Sequence, residues 1–389
     1  MWVILLLIAV VLLYWSVEAL RLHRALRAIP IRIHVNGSRG KSSVTRLLAA
    51  ALRESGIRTA AKTTGSKARY ILPDGSEEPL IRLGTPNIFE QVGVLDRARR
   101  DEAEAIVIEC MAVRPDIQIV AEDGIVRSTI GVITNVRADH LDVMGPTVAD
   151  VAFALSSTLP KKGYAVAPPT HHVEILQERA DARGTRLEVA DPLDLPEGAM
   201  SGFTYLEHEE NVATCLAVTR KLGIPDEVAL RGMYGVVPDP GACTSWTIEH
   251  AGRIIEFHNI FAANDLESTA SVWKRLGLDR SGETPTVALL NLRADRVDRS
   301  IQFAEAVEQL IRADHYTIVG DTSDRVVRRF ARRVPPGRLH PIAKTTPAEV
   351  FDRIAAIGEG GLRVGAIGNI GGIGHEILQY VYRRRMGTC

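Results

Sequence analysis

The sequence predicts an α/β chain: a parallel-sheet domain of the P-loop type, then a smaller Rossmann-like α/β domain, both behind an N-terminal transmembrane helix. Three observations carry this. Short apolar strands alternate with helical patterns along most of the length, as in parallel sheets covered by helices. A strand, a glycine loop and a helix follow one another from Ile31 to Leu52. No charged side chain occurs before Glu18.

The 389 residues suit about two or three domains, and 46% apolar content is ample for their cores. Lys and Arg total 47, as do Asp and Glu, so the basic excess of a nucleic-acid binder is lacking. Cys110, Cys215, Cys243 and Cys389 show no paired spacing, which argues against a disulfide framework or zinc site and fits a reducing compartment.

Counted through Leu20, the first segment just spans a hydrocarbon core of about 30 Å. Trp2, Tyr14 and Trp15 lie near its ends, and Arg21, His23, Arg24 and Arg27 follow. Positive charge stays on the cytoplasmic side, so a retained single-pass cell-membrane anchor with cytoplasmic domains is expected. A cleaved signal or a buried core helix is the alternative; neither a basic start nor a small-residue cleavage site supports the former.

Ile31–Val35 alternates and is β-branched, which reads as a strand. Val44, Leu47, Leu48, Ala51 and Leu52 then recur at helical spacing up to Gly56. Between them lie Asn36, Gly37, Ser38, Arg39, Gly40, Lys41, Ser42 and Ser43. Loop amides and a helix N-terminus favour an anion there, Lys41 adds a full charge, and Ser42 offers a hydroxyl for magnesium. The standard phosphate loop has four residues between its glycines; here there are two. Nucleotide phosphate is favoured over an ordinary tight turn.

A second strand from Arg58 to Thr64 runs into the polar, basic loop Lys62-Thr63-Thr64-Gly65-Ser66-Lys67. The loop suits an anionic substrate, with a plain solvated loop as an even alternative. Pro73–Ser76 is a turn, and Ile88–Arg100 a helix. Ala105–Ile108 reads as a buried parallel strand ending in Glu109 and Cys110. A carboxylate at that place suits magnesium, though a salt-bridged acid would look the same. Cys110 reads as a structural thiol. The strand Thr129–Val136 delivers Asp139, His140 and Asp142, a credible second metal or phosphate cluster. Tyr164–Ala167 and Arg186–Ala190 are further strands, with a helix from His172 to Ala182 between them, and Glu209 opens a helix to about Leu222. The Pro- and Gly-rich stretch Val236–Gly241 reads as a boundary. Beyond it come strands at Ile254–His258, Thr286–Leu292, Tyr316–Gly320 and Arg363–Ile367. The run Gly368–Gly374 is a second anion site or, preferably, a tight strand-to-helix turn.

The stretch from His34 to Ser43, with Glu109 at a strand end and Thr134-Asn135-Val136-Arg137-Ala138-Asp139-His140-Leu141-Asp142, resembles the Mur ligase superfamily, ATP-dependent amide ligases that include folylpolyglutamate synthetase. The anchor, the segment Glu109–Pro115, the length and the glycine-rich end resemble, more narrowly, the PgsB/CapB family, the ligase subunits of poly-γ-glutamate synthase. The resemblance implies a transmembrane anchor at 1–20, a Mur-ligase-like ATP-binding domain at 28–243 and a Rossmann-like ligase domain at 244–389. It implies ATP and Mg²⁺, glutamate and growing poly-γ-glutamate as substrates, and an acyl phosphate as intermediate. It implies PgsC/CapC-type and PgsA/CapA-type membrane partners, no nucleic acid, and leaves a homo-oligomer open.

By the same resemblance Gly37, Ser38, Arg39, Gly40, Lys41, Ser42, Ser43, Asn211, Asn264 and Arg293 contact ATP. Ser42, Glu109 and His140 hold the metal, and Lys41, Glu109, His140 and Asp265 are catalytic. Lys62, Thr63, Thr64 and Lys67 are assigned to a substrate carboxylate, and closure of the two domains is expected to complete the site. The superfamily's bridging lysine is replaced by Ala154-Leu155-Ser156, which leaves a second magnesium without its usual support. The family's Asp and Lys near position 260 appear as Asn259 and Phe261. Another Mur-type ligase, such as a folylpolyglutamate synthetase, or a nucleotide-gated membrane scaffold is the alternative.

Overall fold

The β-branched run Ile31–Asn36 (β1) becomes the centre of an eight-stranded sheet. The computed structural model describes residues 2–64, 68–82, 84–203, 205, 207–236, 244–261, 263, 266–280, 282–292, 301, 303–304, 307, 309–320, 324–342 and 346–386. The chain divides into two units, Met1–Asp239 and Pro240–Cys389, each taken by itself below. Most of the stretch read as a boundary, 237–241, lies outside the described residues.

The other strands of the first unit are Thr59–Thr63 (β2), Arg69–Ile71 (β3), Glu77–Pro79 (β4), Ala105–Glu109 (β5), Ile130–Ile133 (β6), Tyr164–Ala167 (β7) and Arg186–Val189 (β8). Their order is β4-β3-β2-β5-β1-β6-β7-β8. From β2 to β8 every pairing is parallel, and β3 and β4 add an antiparallel edge. The chain enters β1, builds outward on one side and returns on the other. The carboxyl end of β1 is therefore a switch point, where open α/β sheets leave a crevice. β5 is buried at all five positions, as its unbroken apolar run requires.

The β3–β4 hairpin is absent from the sequence reading, which saw only its turn. Each strand has three residues, too few for a periodic signal. Asp74 holds the turn by accepting hydrogen bonds from the Ser76 amide (2.8 Å) and hydroxyl (2.6 Å).

Trp2–Ala28 forms one helix (α1), long and apolar enough to cross a membrane by length and composition. It does not stop at the end of its apolar part. Ala25 and Ile29 are fully buried, with Leu22 and Leu26 packed beside them, against Val92, Leu95 and Ala98 of the helix Glu90–Arg100 (α3). The helix Lys41–Glu54 (α2) buries Val44, Leu47, Leu48, Ala51 and Leu52 under the sheet, the same positions that gave its periodicity. Further helices are Pro115–Ile119 (α4), continued by a wider turn over Val120–Val126, then Leu141–Met144 (α5), Val148–Leu155 (α6), Val173–Ala182 (α7), Glu209–Lys221 (α8) and Asp226–Tyr234 (α9).

Lys62 corrects the sequence reading. It lies inside β2 with its side chain fully buried, 2.8 Å from the Glu90 carboxylate, which also takes a bidentate pair from Arg82 (2.8 and 2.9 Å). Burial lowers the Lys62 pKa. An ammonium already so paired is no loop cation free for substrate. Glu90→Ala strands that buried ammonium and is expected to cost about 3 kcal/mol. Lys62→Met leaves Glu90 with Arg82, so its urea midpoint is expected to fall less.

The described strands of the second unit are Thr244–His250 (β9), Arg253–Asn259 (β10), Thr286–Leu292 (β11), His315–Gly320 (β12), Leu339–Pro341 (β13) and Leu362–Gly368 (β14), ordered β13-β12-β11-β14-β10-β9. All pairings are parallel except β9 with β10. Helices Leu266–Arg275 (α10), Asp324–Ala331 (α11), Pro347–Ala355 (α12) and Ile373–Arg384 (α13) accompany them. Phe257, Phe351, Val364 and Ile377 form its core. The turn after β14 is fastened by the Asn291 amide, which donates to the carbonyls of Asn369 (2.6 Å) and Gly371 (2.8 Å). That bracing accounts for the glycine run as a tight turn.

Candidate active site

Four strand ends converge at the switch point: β1 at Asn36, β2 at Thr63, β5 at Glu109 and β6 at Ile133. The loop after β1 turns into α2 at Gly40, whose φ of 80° is one glycine adopts freely. Gly37 has φ 137°, and a Cβ there would lie 2.1 Å from the Thr134 hydroxyl. The loop can run so close to β6 only because that position has no side chain.

Thr134 and Asn135 hold the loop in shape. The Ser38 amide donates to the Asn135 carbonyl (3.1 Å), and the Arg39 amide to the Asn135 side-chain oxygen (3.1 Å). The Asn135 amide returns a bond to the Arg39 carbonyl (3.0 Å), to which the Thr134 hydroxyl also donates. Asn36 is tied from behind to Gln118 (2.9 Å) and Thr158 (3.1 Å). The sequence reading gave the Ser38 and Arg39 amides to phosphate; here they belong to Asn135. The donors left for an anion are those of the first turn of α2, Lys41 to Ser43, which have no intrahelical acceptor.

The Lys41 ammonium donates to the carbonyls of Gly37 (2.6 Å) and Ser38 (3.3 Å). No carboxylate pairs with it among the described residues. Next to it, Ser42 Oγ donates to Glu109 Oε2 (2.9 Å), which also accepts from the Thr64 amide (2.6 Å). Glu109 is 3% exposed and has no ion pair among the described residues; Lys62 answers its charge only at longer range. The salt-bridged reading of this acid therefore does not hold. A buried carboxylate beside a hydroxyl is a hard-oxygen pair of the kind magnesium takes. Among the described residues no three His, Cys, Asp or Glu side chains stand together as a metal site.

His140 stands at the start of α5 with φ 48° and its side chain half exposed, Nε2 4.0 Å from Asp139, which pairs with Arg39 (3.3 Å). A cavity of about 280 Å³ is lined by Gly37, Lys41, Thr64, Arg82, Asp139 and His140. Asn211 lies in the first turn of α8, its amide on Glu207 (2.8 Å) and its oxygen 3.0 Å from where a Gly40 Cβ would stand. Lys41, Ser42, Glu109, Thr64, His140 and Asn211 thus gather at one loop, whereas Thr63 is buried in β2. Lys67, Asn264, Asp265 and Arg293 lie outside the described residues, as do Gly65 and Ser66.

Beneath the loop His34 is fully buried on β1, its Nδ1 2.8 Å from Glu122, which also accepts from the Ser128 amide and hydroxyl (both 2.8 Å). Burial alone would lower the imidazole pKa; Cys110 and Glu122 outweigh it and raise it to about 9. A value raised from 6.5 means stability fully present below pH 6.5 and lost as pH rises through 9. The unfolding free energy from urea titration is expected to fall between pH 7 and pH 9.5, by a few kcal/mol at most. His34→Phe should flatten that decline.

Two family models match: the Mur ligase middle domain over residues 35–215 and the poly-gamma-glutamate synthase CapB C-terminal domain over residues 246–384. The PGA synthase CapB of Bacillus subtilis (strain 168) is 35% identical over 389 residues, 99% of each chain. The chain belongs to the CapB family of the Mur ligase superfamily. The capsule biosynthesis protein CapB of Bacillus anthracis is also 35% identical, over 97% of this chain and 82% of that one. Among solved structures, E. coli FolC in complex with ADP superposes with a TM-score of 0.71 at 14% identity, covering 94% and 93% of the two chains. At that identity the likeness speaks for the fold. This CapB-family protein is thus an ATP-dependent amide ligase, and the loop, Glu109, His140 and Asn211 all fall inside the Mur ligase match.

The sequence reading missed Arg82, Gln118 and the bracing role of Thr134 and Asn135. The motif Thr134-Asn135 was visible, but what it holds is a loop almost a hundred residues earlier. Ala154, Leu155 and Ser156, where the superfamily lysine is lacking, are buried.

Proposed function

We propose that this CapB-family ligase joins glutamate units through γ-amide bonds, with ATP converted to ADP and phosphate. A carboxylate is a poor acyl donor, because its oxygen is a poor leaving group. Its oxygen attacks the γ-phosphorus, ADP leaves, and an acyl phosphate forms. The amine of the next glutamate attacks the carbonyl carbon, loses a proton, and phosphate departs.

The observation that carries this reading is the buried Glu109 carboxylate, without an ion pair among the described residues and 2.9 Å from Ser42, at the helix N-terminus that also bears Lys41. The amides of Lys41 to Ser43 and the Lys41 ammonium would cradle the β- and γ-phosphates. Ser42 and Glu109, with His140 at the same cavity, would hold Mg²⁺, which when bound neutralises charge on the phosphoryl oxygens. Asn211 would fix the nucleotide beside Gly40. Of the residues first assigned to a substrate carboxylate, Thr64 lines the cavity and would keep that role, whereas Lys62 and the neighbouring Arg82 are both held by Glu90.

The apolar part of α1 serves in this reading as a membrane anchor with the ligase units on the cytoplasmic side, where its flanking arginines belong. One helix cannot form an export path for a polyanion, so separate membrane subunits of the PgsC/CapC and PgsA/CapA types are proposed partners. Incubating the membrane fraction with labelled glutamate and ATP, then sizing the product, tests the whole. A γ-linked polymer and ADP are expected; ATP turnover without an amide product would overturn it.

A further inference from the structure

The second unit carries a cationic groove that phosphoryl transfer does not use. It has a volume of about 500 Å³ and opens at the amino ends of β11 and β12, beside Thr286, Asp314 and Tyr316. Catalytic crevices of parallel sheets lie at the carboxyl ends instead. Arg280, Arg312 and Arg338 line the groove, and all three are exposed. None of them forms an ion pair among the described residues. Two acids share the wall, Asp279 and Asp314, the latter held by the Thr286 amide (2.9 Å) and hydroxyl (3.0 Å), so three guanidinium groups face two carboxylates.

Arg338 also ends an unusual stretch. From Arg325 to Arg338 there are six arginines and no Asp or Glu, in a chain whose charges balance overall. Arg325, Arg328, Arg332 and Arg333 are exposed and likewise without an ion pair among the described residues. The contrast with the rest of the unit is plain, where Arg363 reaches Glu256 at 3.2 Å. A basic amphipathic helix usually suggests a lipid surface. Here the large apolar side chains of α11 and the turn after it are spent inside the unit: Val326, Phe330 and Val334 are at most 4% exposed. No large apolar side chain of the stretch is exposed to enter a bilayer, and a water-borne polyanion fits better.

We infer that the groove and the arginine stretch leading into it hold the growing poly-γ-glutamate chain, a polycarboxylate, while its end is extended. This rests on the proposed reading of the product. A γ-linked chain presents one α-carboxylate per residue, and guanidinium groups pair well with carboxylates. Each exposed pair is weak, but several on one strand add up through linkage. Weak and multiple contacts keep the chain attached while letting it slide.

The test uses the full-length chain in non-ionic detergent, with fluorescent poly-γ-glutamate as the probe. The triple variant Arg280→Gln, Arg312→Gln, Arg338→Gln is compared with the same three positions changed to Lys. Polymer affinity is expected to fall about tenfold or more in the Gln variant and to be largely restored in the Lys variant. The polymer made from glutamate and ATP should be shorter in the Gln variant than in the Lys variant. Unchanged polymer affinity in the Gln variant overturns the inference, including the case in which only binding to phosphatidylglycerol vesicles is lost. Polymer binding is read without turnover, so absence of glutamate-dependent ADP release in the wild type would count against the ligase substrate and not against the groove.

Discussion

Lys41→Ala is expected to lower glutamate-dependent ADP release at least about a hundredfold, roughly 2.7 kcal/mol of lost transition-state stabilisation. The physical reason is the state of its ammonium. It rests on the carbonyls of Gly37 and Ser38, with no carboxylate to neutralise it among the described residues. A triphosphate entering the loop would exchange two neutral acceptors for charged ones, and the gain grows as charge develops on the transferred group. The same substitution removes no buried side chain, so the denaturation midpoint should stay close to wild type. That separates a chemical role from a folding one. Full turnover in this variant would remove the lysine from the phosphate site.

Glu109→Gln is the second large effect. The exchange keeps the shape and one acceptor oxygen for Ser42 and Thr64, and removes only the charge. A fall of about a hundredfold is expected, and it should persist across a magnesium titration, because a neutral amide is a poor ligand for a hard cation. Stability is expected to hold or rise, since a buried carboxylate without an ion pair costs desolvation free energy. If activity returned to wild type at high magnesium, Glu109 would be a helper that raises local metal concentration. If it never fell, the metal would have to be held elsewhere.

Much of this site was legible one residue at a time. β1, α2 and β5 announced themselves because their burial is periodic or continuous, and the local order strand, glycine loop, helix already implies where amides point. What stayed hidden depends on residues far apart in the chain. Asn135 takes the Ser38 and Arg39 amides from across the sheet, a contact no spacing rule encodes. Lys62 read as a loop cation because its neighbours are polar; its partner Glu90 lies almost thirty residues away on another helix. The β3–β4 edge escaped for a different reason, since three-residue strands carry too few side chains to show alternation. His34 passed as one more strand residue because its partner Glu122 sits on a separate helical turn.

The helix α1 has no elbow between its greasy part and the domain. From Arg21 the same rod runs on to Ala28 and is clamped against α3 by Leu22, Ala25 and Leu26. Eight residues at 1.5 Å each make about 12 Å of stiff stalk. In the anchored arrangement proposed above, a first unit mounted that way would not tumble on a leash; it would keep lateral drift in the lipid sheet and hold its phosphate loop at one height above the headgroups.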